Sequence, residues 1–381
     1  MRILISAGDL SGEIYGAEIL KGLKNSFPTA DFFSLTNGLI SKAGATPISS
    51  VSNVGVVGAT EVLNELRKLY KLTEALFRFF SNTPPQAVIL IDFPDMNLHI
   101  VARLAKRKGA RVLYFIPPQA WAWRSSRVKL LKKLIDEVIV ILPFEETFYK
   151  AHGLHKVFYF GHPILDKFQE RQLSPGKDLS LTVGVFPGSR SSELQHHIPI
   201  INEVVKRLRL IYPQARFLLP IAPGIERKLS NFEIASPIQL VSGSECQSAT
   251  QIVLNQCHCA LVASGTATLE VALMEVPMVV FYKVSSMTAL IGKKLIKTPF
   301  VSLPNLIAGK TVVPEFIQDF KVENLVNAMS DLIDGIHEAN KHSSWSRQKE
   351  ALREIMGKLG KPPVMPRIVQ NIEAFLKEVK I

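Results

Sequence analysis

Ala87-Val88-Ile89-Leu90-Ile91 runs directly into Asp92-Phe93-Pro94-Asp95-Met96-Asn97, and this junction decides the fold. An unbroken apolar run of strand length reads as a strand covered on both faces, the habit of parallel sheets. Pro94 keeps the strand from continuing, and amphipathic sequence of helical length begins near Leu98. Working outward, Arg2 to Ser6, Arg111 to Phe115, Glu137 to Leu142 and Lys156 to Phe160 read as buried strands of the same kind, separated by helix-length segments. A polar stretch with Pro175, Gly176, Lys177 and Asp178 interrupts the alternation. It restarts with Thr182 to Phe186, Arg216 to Leu219, Ile238 to Val241, Ala260 to Ala263 and Met278 to Tyr282. The expected fold class is α/β: two doubly wound domains, 1–170 and 171–357, with helical sequence from Lys321 onward.

Composition narrows the function classes. Of 381 residues, 47% are hydrophobic and 20% charged, enough apolar surface to bury two cores. No run reaches the 18 or so apolar residues of a membrane span, and Arg2-Ile3-Leu4-Ile5 starts a strand where a signal peptide would need a longer apolar core. Cys246, Cys257 and Cys259 form no paired framework, which fits a reducing cytoplasm. Cys257-His258-Cys259 enters a buried strand, where neighbours alternate faces and cannot all ligate one ion, so no metal is expected there. The formal charge of +12 favours anionic partners, but no zinc-finger spacing or RNP-like motif points to nucleic acid.

Doubly wound sheets bind ligands beyond the carboxyl ends of their strands, so the strand-to-helix junctions are where chemistry is sought. After the first strand, Ala7-Gly8-Asp9-Leu10-Ser11-Gly12-Glu13 makes a glycine-bearing turn. It reads equally as a tight turn without a ligand; as a binding turn, its acids suit a hydroxyl-rich group such as a sugar better than a phosphate. Asp92 sits nearest the next strand terminus and is the candidate general base, while Asp95 and Asn97 read equally as caps of the following helix. Pro117-Pro118-Gln119-Ala120-Trp121-Ala122-Trp123-Arg124-Ser125-Ser126-Arg127 brings aromatic planes for sugar rings or acyl chains together with arginines for phosphate, unless the tryptophans are core anchors. In the second half, Phe186-Pro187-Gly188-Ser189-Arg190-Ser191-Ser192-Glu193 suits a diphosphate through amides, hydroxyls and one arginine. Ala263-Ser264-Gly265-Thr266-Ala267-Thr268-Leu269-Glu270 adds hydroxyls and a glutamate for a ribose. Capped helix starts without a ligand are the plainer reading of both turns. Val54 to Leu72 sets an apolar face beside Arg67, Lys68 and Lys71, either a membrane-docking helix or one packed on its own sheet.

Taken together these motifs, with Leu142-Pro143-Phe144-Glu145, Gly161-His162-Pro163 and Val301-Ser302-Leu303-Pro304-Asn305-Leu306-Ile307-Ala308-Gly309, resemble the lipid-A-disaccharide synthases over nearly the whole chain. The resemblance implies an inverting transferase of the two-domain GT-B fold, with a C-terminal helix, about 358–381, crossing back to the first domain. It implies UDP-2,3-diacylglucosamine as donor, 2,3-diacylglucosamine 1-phosphate as acceptor, and a β-1,6-linked disaccharide 1-phosphate and UDP as products. Asp92 and Arg190 match residues needed for activity. Gly188, Ser189, Arg190, Ser264, Gly265, Thr266, Thr268, Glu270 and Asn305 become the expected donor side, bound by the C-terminal domain. Asp9, Ser11, Gly12, Glu13, Asn97, Trp121, Trp123 and Arg124 become the expected acceptor side. Where the family usually reads Gly-Glu-x-Ser-Gly-Asp, this chain reads Gly8-Asp9-Leu10-Ser11-Gly12-Glu13, with the acid lengths exchanged. The implied setting is peripheral, on lipids of the cytoplasmic face of the inner membrane, with no metal or other cofactor required and a homodimer as a further candidate partner. A UDP-sugar epimerase or another GT-B transferase, and a lipid-binding scaffold without activity, are the competing readings.

Overall fold

The computed structural model describes residues 1–52, 62–122, 126–167, 180–221, 226–244, 248–285, 298–337 and 342–379. The chain forms two compact units, Met1–Gln169 with Leu359–Ile381, and Glu170–Lys358.

The first unit is built on a seven-stranded sheet of order β3-β2-β1-β4-β5-β6-β7. Its strands are β1 (Arg2–Ser6), β2 (Asp31–Ser34), β3 (Thr46–Pro47), β4 (Ala87–Ile91), β5 (Arg111–Phe115), β6 (Glu137–Val140) and β7 (Val157–Tyr159). The pairings are parallel throughout. Every residue of β4 is buried, as an apolar run with helices on both faces requires. On one face Leu4, Val88, Leu90, Val112 and Tyr114 share a core with Leu72, Leu76, Phe79 and Phe80 of the helix Val62–Asn82.

The second unit repeats the plan with six parallel strands in the order β10-β9-β8-β11-β12-β13. These are β8 (Thr182–Phe186), β9 (Arg216–Ile221), β10 (Ile238–Ser242), β11 (Cys259–Ala263), β12 (Met278–Tyr282) and β13 (Glu315–Ile317). In each sheet the chain winds outward from a central strand in both directions. The winding reverses between β1 and β4 and again between β8 and β11, which opens a crevice at the carboxyl ends of those pairs.

The C-terminal segment belongs to the first unit, where the helix Met365–Lys377 buries Ile368, Ile372, Phe375 and Leu376. Each such side chain removed from water is worth about 1.5–3 kcal/mol. Its seat is polar as well: Asp166 accepts the backbone N–H groups of Val364 and Met365 at 2.7 Å. Ser26 donates to Glu373 at 2.6 Å, and Glu378 pairs with Arg111 at 2.9 Å. Gly161 (φ +111°) and Gly360 (φ +95°) let two backbones cross, since a Cβ on Gly360 would lie 2.9 Å from the Gly161 Cα. Thus Gly161-His162-Pro163 is the socket of this segment, with the His162 N–H donating to the Leu359 carbonyl at 2.9 Å.

The expected apolar segment Val54 to Leu72 falls partly on residues 53–61, outside the described residues. The helix that follows carries two apolar stripes. Leu72, Leu76, Phe79 and Phe80 face the core, while Leu66, Tyr70 and Phe77 are exposed roughly a third of a turn away, bordered by exposed Arg67, Lys71 and Arg78. Among the described residues no helix is long and apolar enough to cross a membrane.

Candidate active site

At the first reversal point, two successive non-glycine residues at the end of β4 adopt positive φ, Asp92 at 44° and Phe93 at 49°. Such backbone costs on the order of 1–3 kcal/mol per residue and persists only where the surroundings over-determine it. Here they do. The Asp92 N–H donates to the Phe115 carbonyl at 3.1 Å, and its own carbonyl accepts the Tyr114 hydroxyl at 2.9 Å and the Asn97 Nδ2 at 2.7 Å. The Phe93 ring lies where a Cβ on Gly8 would come within 2.6 Å, so the β1 turn and the β4 turn fit only because residue 8 has no side chain. The half-buried Asp92 side chain is thereby carried beyond the sheet by a rigid backbone.

Asn97 was expected at the acceptor, but the structure turns it inward. It is fully buried, accepts the Ser6 hydroxyl at 2.6 Å, and donates to the carbonyls of Ser6, Ile91 and Asp92. It opens a single wide π-type turn, Asn97–Val101, and acts as a bracket across β1 and β4. Asp95, exposed, pairs with the buried guanidinium of Arg127.

In the first turn Asp9 caps the helix Leu10–Ser26, accepting the Gly12 N–H at 2.9 Å. Glu13 departs further from the acceptor role: its buried carboxylate accepts the Thr36 hydroxyl and the Ile40 N–H, tying down the chain after β2. Burial pushes this carboxyl above its ordinary range. The surface the turn offers is Ser11 with Leu10, 54% exposed, and Ile14, 39% exposed, an apolar pair one helical turn apart that composition alone did not single out.

Trp121 follows β5 through Ile116, a β-branched residue at φ +58°. Its indole N–H donates to Glu145 at 2.9 Å, and its ring meets Phe144 edge-on, with centroids 4.9 Å apart. Trp123 and Arg124 lie outside the described residues.

At the second reversal point, Gly188 takes φ +93°, and a Cβ there would stand 2.5 Å from a Glu193 oxygen. Ser189, Arg190, Ser191 and Ser192 are exposed. The amides expected to greet a diphosphate are partly used: Glu193 accepts the N–H groups of Ser189 (3.0 Å) and Arg190 (3.1 Å) and pairs with the Arg190 guanidinium at 3.0 Å. Arginine and hydroxyls remain as the outward groups, joined by Lys228, whose ammonium reaches the Ser189 carbonyl at 3.1 Å. Beneath them His197 is fully buried; its Nδ1 donates to the Pro187 carbonyl at 2.7 Å and its Nε2 accepts the Lys283 N–H at 3.1 Å. Burial holds this imidazole below its usual pKa, consistent with that neutral tautomer.

In the β11 turn Gly265 (φ +151°) and Thr266 are exposed, and Ser264 donates to the Val301 carbonyl at 3.3 Å. Thr268 is buried and closes the turn on the Gly265 carbonyl at 2.7 Å; Glu270 is half-buried. Asn305 is fully buried with its hydrogen-bonding capacity spent, donating to Val313 and Glu315 and accepting from Val312 and Val313. The donor contact expected of Asn305 therefore requires breaking one of these bonds. Glu193, Glu145, Lys228, His197 and Glu315 carry much of this geometry; the positions of Glu193 and Glu145, each three residues into a helix after a turn, signalled it in the sequence, and those of the other three did not. Cys257 and Cys259 are buried; Cys246 lies outside the described residues.

Two α/β units, each with polar turns gathered where its sheet reverses, define a protein of the GT-B class. The same fold occurs in the UDP-GlcNAc 2-epimerase of Neisseria meningitidis bound to UDP-GlcNAc (TM-score 0.62, 14% identity, 99% of this chain and 100% of that one). It occurs also in the calicheamicin glycosyltransferase CalG4 (TM-score 0.58, 15% identity, 100% and 99%). At such identity the likeness speaks for the fold alone. The family is shown by sequence: the lipid-A-disaccharide synthetase family model matches residues 3–359, and the chain belongs to that family. Relatives include the lipid-A-disaccharide synthases of Geobacter metallireducens, 38% identical with 92% of this chain and 93% of that protein covered, and of Anaeromyxobacter dehalogenans strain 2CP-C, 33% identical with 99% and 98% covered.

Proposed function

We propose that this chain makes the lipid A disaccharide by moving a 2,3-diacylglucosaminyl unit from UDP to the primary hydroxyl of 2,3-diacylglucosamine 1-phosphate. The observation that carries the reading is Asp92, a carboxylate held beyond the carboxyl end of β4 on a backbone fixed from both sides. In this scheme Asp92 takes the hydroxyl proton as the acceptor oxygen attacks the anomeric carbon. The bond to UDP breaks in the same step, inverting the configuration, and Arg190 with the hydroxyls of its turn receives the charge growing on the departing diphosphate. The anomeric carbon gains oxocarbenium character, and holding both substrates in place supplies much of the rate. Every step runs on these side chains and the two substrates. The first unit serves the acceptor: Ser11 and Trp121 suit the sugar, and exposed Leu10 and Ile14 suit its acyl chains. The second unit serves UDP through Ser189, Arg190, Ser264, Gly265 and Thr266, with Gly188 and Thr268 shaping the turns and Glu270 beside them for the ribose. The exposed stripe Leu66, Tyr70 and Phe77, with its border of cations, rests on the cytoplasmic face of the inner membrane, where both lipid substrates reside.

The test combines purified protein with both substrates, beside an Asp92→Ala variant, and follows disaccharide phosphate and UDP by mass spectrometry. Formation of both products by the wild type, slowed ~10²-fold or more in the variant, is the expected outcome. Equal rates remove Asp92 from the mechanism, and an epimerised UDP-sugar without disaccharide overturns the transferase reading.

A further inference from the structure

Within the first unit, a buried acid that takes no part in the chemistry above fastens the loop after β5. Glu145 lies in the first turn of the helix Pro143–Ala151 and is 2% exposed. One carboxylate oxygen accepts the Trp121 indole N–H at 2.9 Å; the other accepts the N–H groups of Leu142 at 3.0 Å and Ile141 at 3.2 Å. Among the described residues no lysine, arginine or histidine is bonded to it, so its charge rests on N–H dipoles alone. One helical turn on, the Tyr149 hydroxyl donates to the Pro118 carbonyl. Two side chains four apart on one helix thus grip the loop at Pro118 and at Trp121, and the loop starts from the strained Ile116. A buried carboxylate without a counter-ion is costly to keep, and an amide or apolar side chain would fill the place at lower cost if only packing were required.

We infer that Glu145 is a positioning residue for acceptor binding, its carboxylate holding the Trp121 ring in the orientation that receives the acceptor. The inference rests on the acceptor reading of the Trp121 loop. Glutamine cannot replace the carboxylate, because an amide has one accepting oxygen where the site asks for acceptors on both sides. Protonation has a similar effect. Burial raises this acid to about 7, so the gripping form is lost as pH falls through neutrality. The tyrosines facing Glu145 do not blur that step. Tyr149 on the same helix and Tyr159 on β7 are both pushed well above the ordinary phenol range and stay neutral. Arg127 and Arg367 act on those tyrosines, and neighbouring Glu146 is half-buried and paired with Lys150, 2.6 Å away.

The experiment compares full-length wild type, Glu145→Gln, Glu145→Asp and Trp121→Phe in two readouts. In steady-state kinetics from pH 6 to 8, Glu145→Gln raises the acceptor KM about tenfold, the scale of one lost charge-assisted hydrogen bond, leaving kcat and the UDP-sugar KM within about twofold. Glu145→Asp recovers part of the loss. The wild-type acceptor KM rises as pH is lowered through 7, and that of Glu145→Gln stays flat. In substrate-free protein, tryptophan fluorescence shows a step near pH 7 in the wild type that is absent from Glu145→Gln and from Trp121→Phe. A missing fluorescence step overturns the coupling of Glu145 to Trp121. A step with an unmoved acceptor KM, or equal rises in both substrates' KM values, overturns the positioning role. If the wild type forms no disaccharide, the transferase reading has failed, and the substrate-free titration still decides the coupling.

Discussion

The two reversal points solve one problem in opposite ways. At the end of β4 the chain carries side chains through a left-handed turn, Asp92 and Phe93, and a buried amide, Asn97, gathers three carbonyl oxygens beneath it. At the end of β8 glycine makes the turn, and a buried carboxylate, Glu193, gathers two N–H groups and a guanidinium. The amide bracket leaves a carboxylate at the turn, which suits the proton acceptor proposed there. The carboxylate bracket leaves hydroxyls and the exposed side of an arginine outward, which suits the diphosphate site proposed there. The contrast teaches that strain is kept where the side chain proposed to react sits in the turn itself, and glycine is used where its neighbours are the groups proposed to bind.

The contrast can be broken at its strained side. Asp92→Gly relieves the positive φ and removes the base together, so turnover falls ~10²-fold or more while stability to urea rises by about 0.5–1 kcal/mol. Unchanged turnover, or a loss of stability, breaks the comparison. At the glycine side, Gly188→Ala adds a methyl at φ +93° that would stand 2.5 Å from Glu193. The expected result is a fall of roughly 10- to 100-fold in kcat/KM for the UDP-sugar, with the acceptor KM unchanged in initial-rate assays. Exchanging the bracket chemistry sharpens the comparison further: Asn97→Asp lowers kcat about tenfold, and Glu193→Gln raises the donor KM by about threefold to tenfold. Effects of the reverse assignment, donor for Asn97 and acceptor for Glu193, would show that the brackets do not serve the roles given to them.

The smallest effect on catalysis is expected at the socket of the C-terminal helix. Burial holds His162 down to about 4, below the free imidazole near 6.5, so the folded state resists protonation. Stability on this account is fully present above pH 6.5, declines as pH falls, and is lost in full below about 4. At 1.36 kcal/mol per unit the gap is on the order of 3 kcal/mol. Thermal unfolding of wild type and His162→Gln from pH 7 to 4 measures it, and parallel pH curves would remove His162 from the account.

Much of the fold was legible because buried parallel strands announce themselves as apolar runs. The bounds expected for Arg2 to Ser6, Arg111 to Phe115, Thr182 to Phe186 and Met278 to Tyr282 are the observed ones. Asp31–Ser34, Thr46–Pro47 and Glu315–Ile317 were not read as strands, being short, at or next to a sheet edge and partly buried or, for Thr46–Pro47, exposed. In the candidate site, Asp92 stands at the end of β4 and Arg190 caps the helix after β8, both in strand-to-helix turns, as expected of their positions in the sequence. Asn97, Glu13, Thr268 and Asn305 carry the right chemistry for ligands and spend it on the protein, because a polar side chain next to a turn bonds whichever neighbour the fold brings within 3 Å or so.

By itself the sequence determined the α/β class, the alternation that builds two sheets and the family, since these follow from hydrophobic runs and from motifs contiguous along the chain. Only the tertiary structure decided which polar residues face outward and which lock the turns. It decided too that Glu145 meets Trp121, 24 residues earlier, and that Asp166 seats the segment Leu359–Ile381, whose return to the first unit the family resemblance had implied. The physical reason is that hydrogen bonds are short and directional: whether a carboxylate or amide is a tool or a fastener depends on partners distant in sequence, and no spacing along the chain records them.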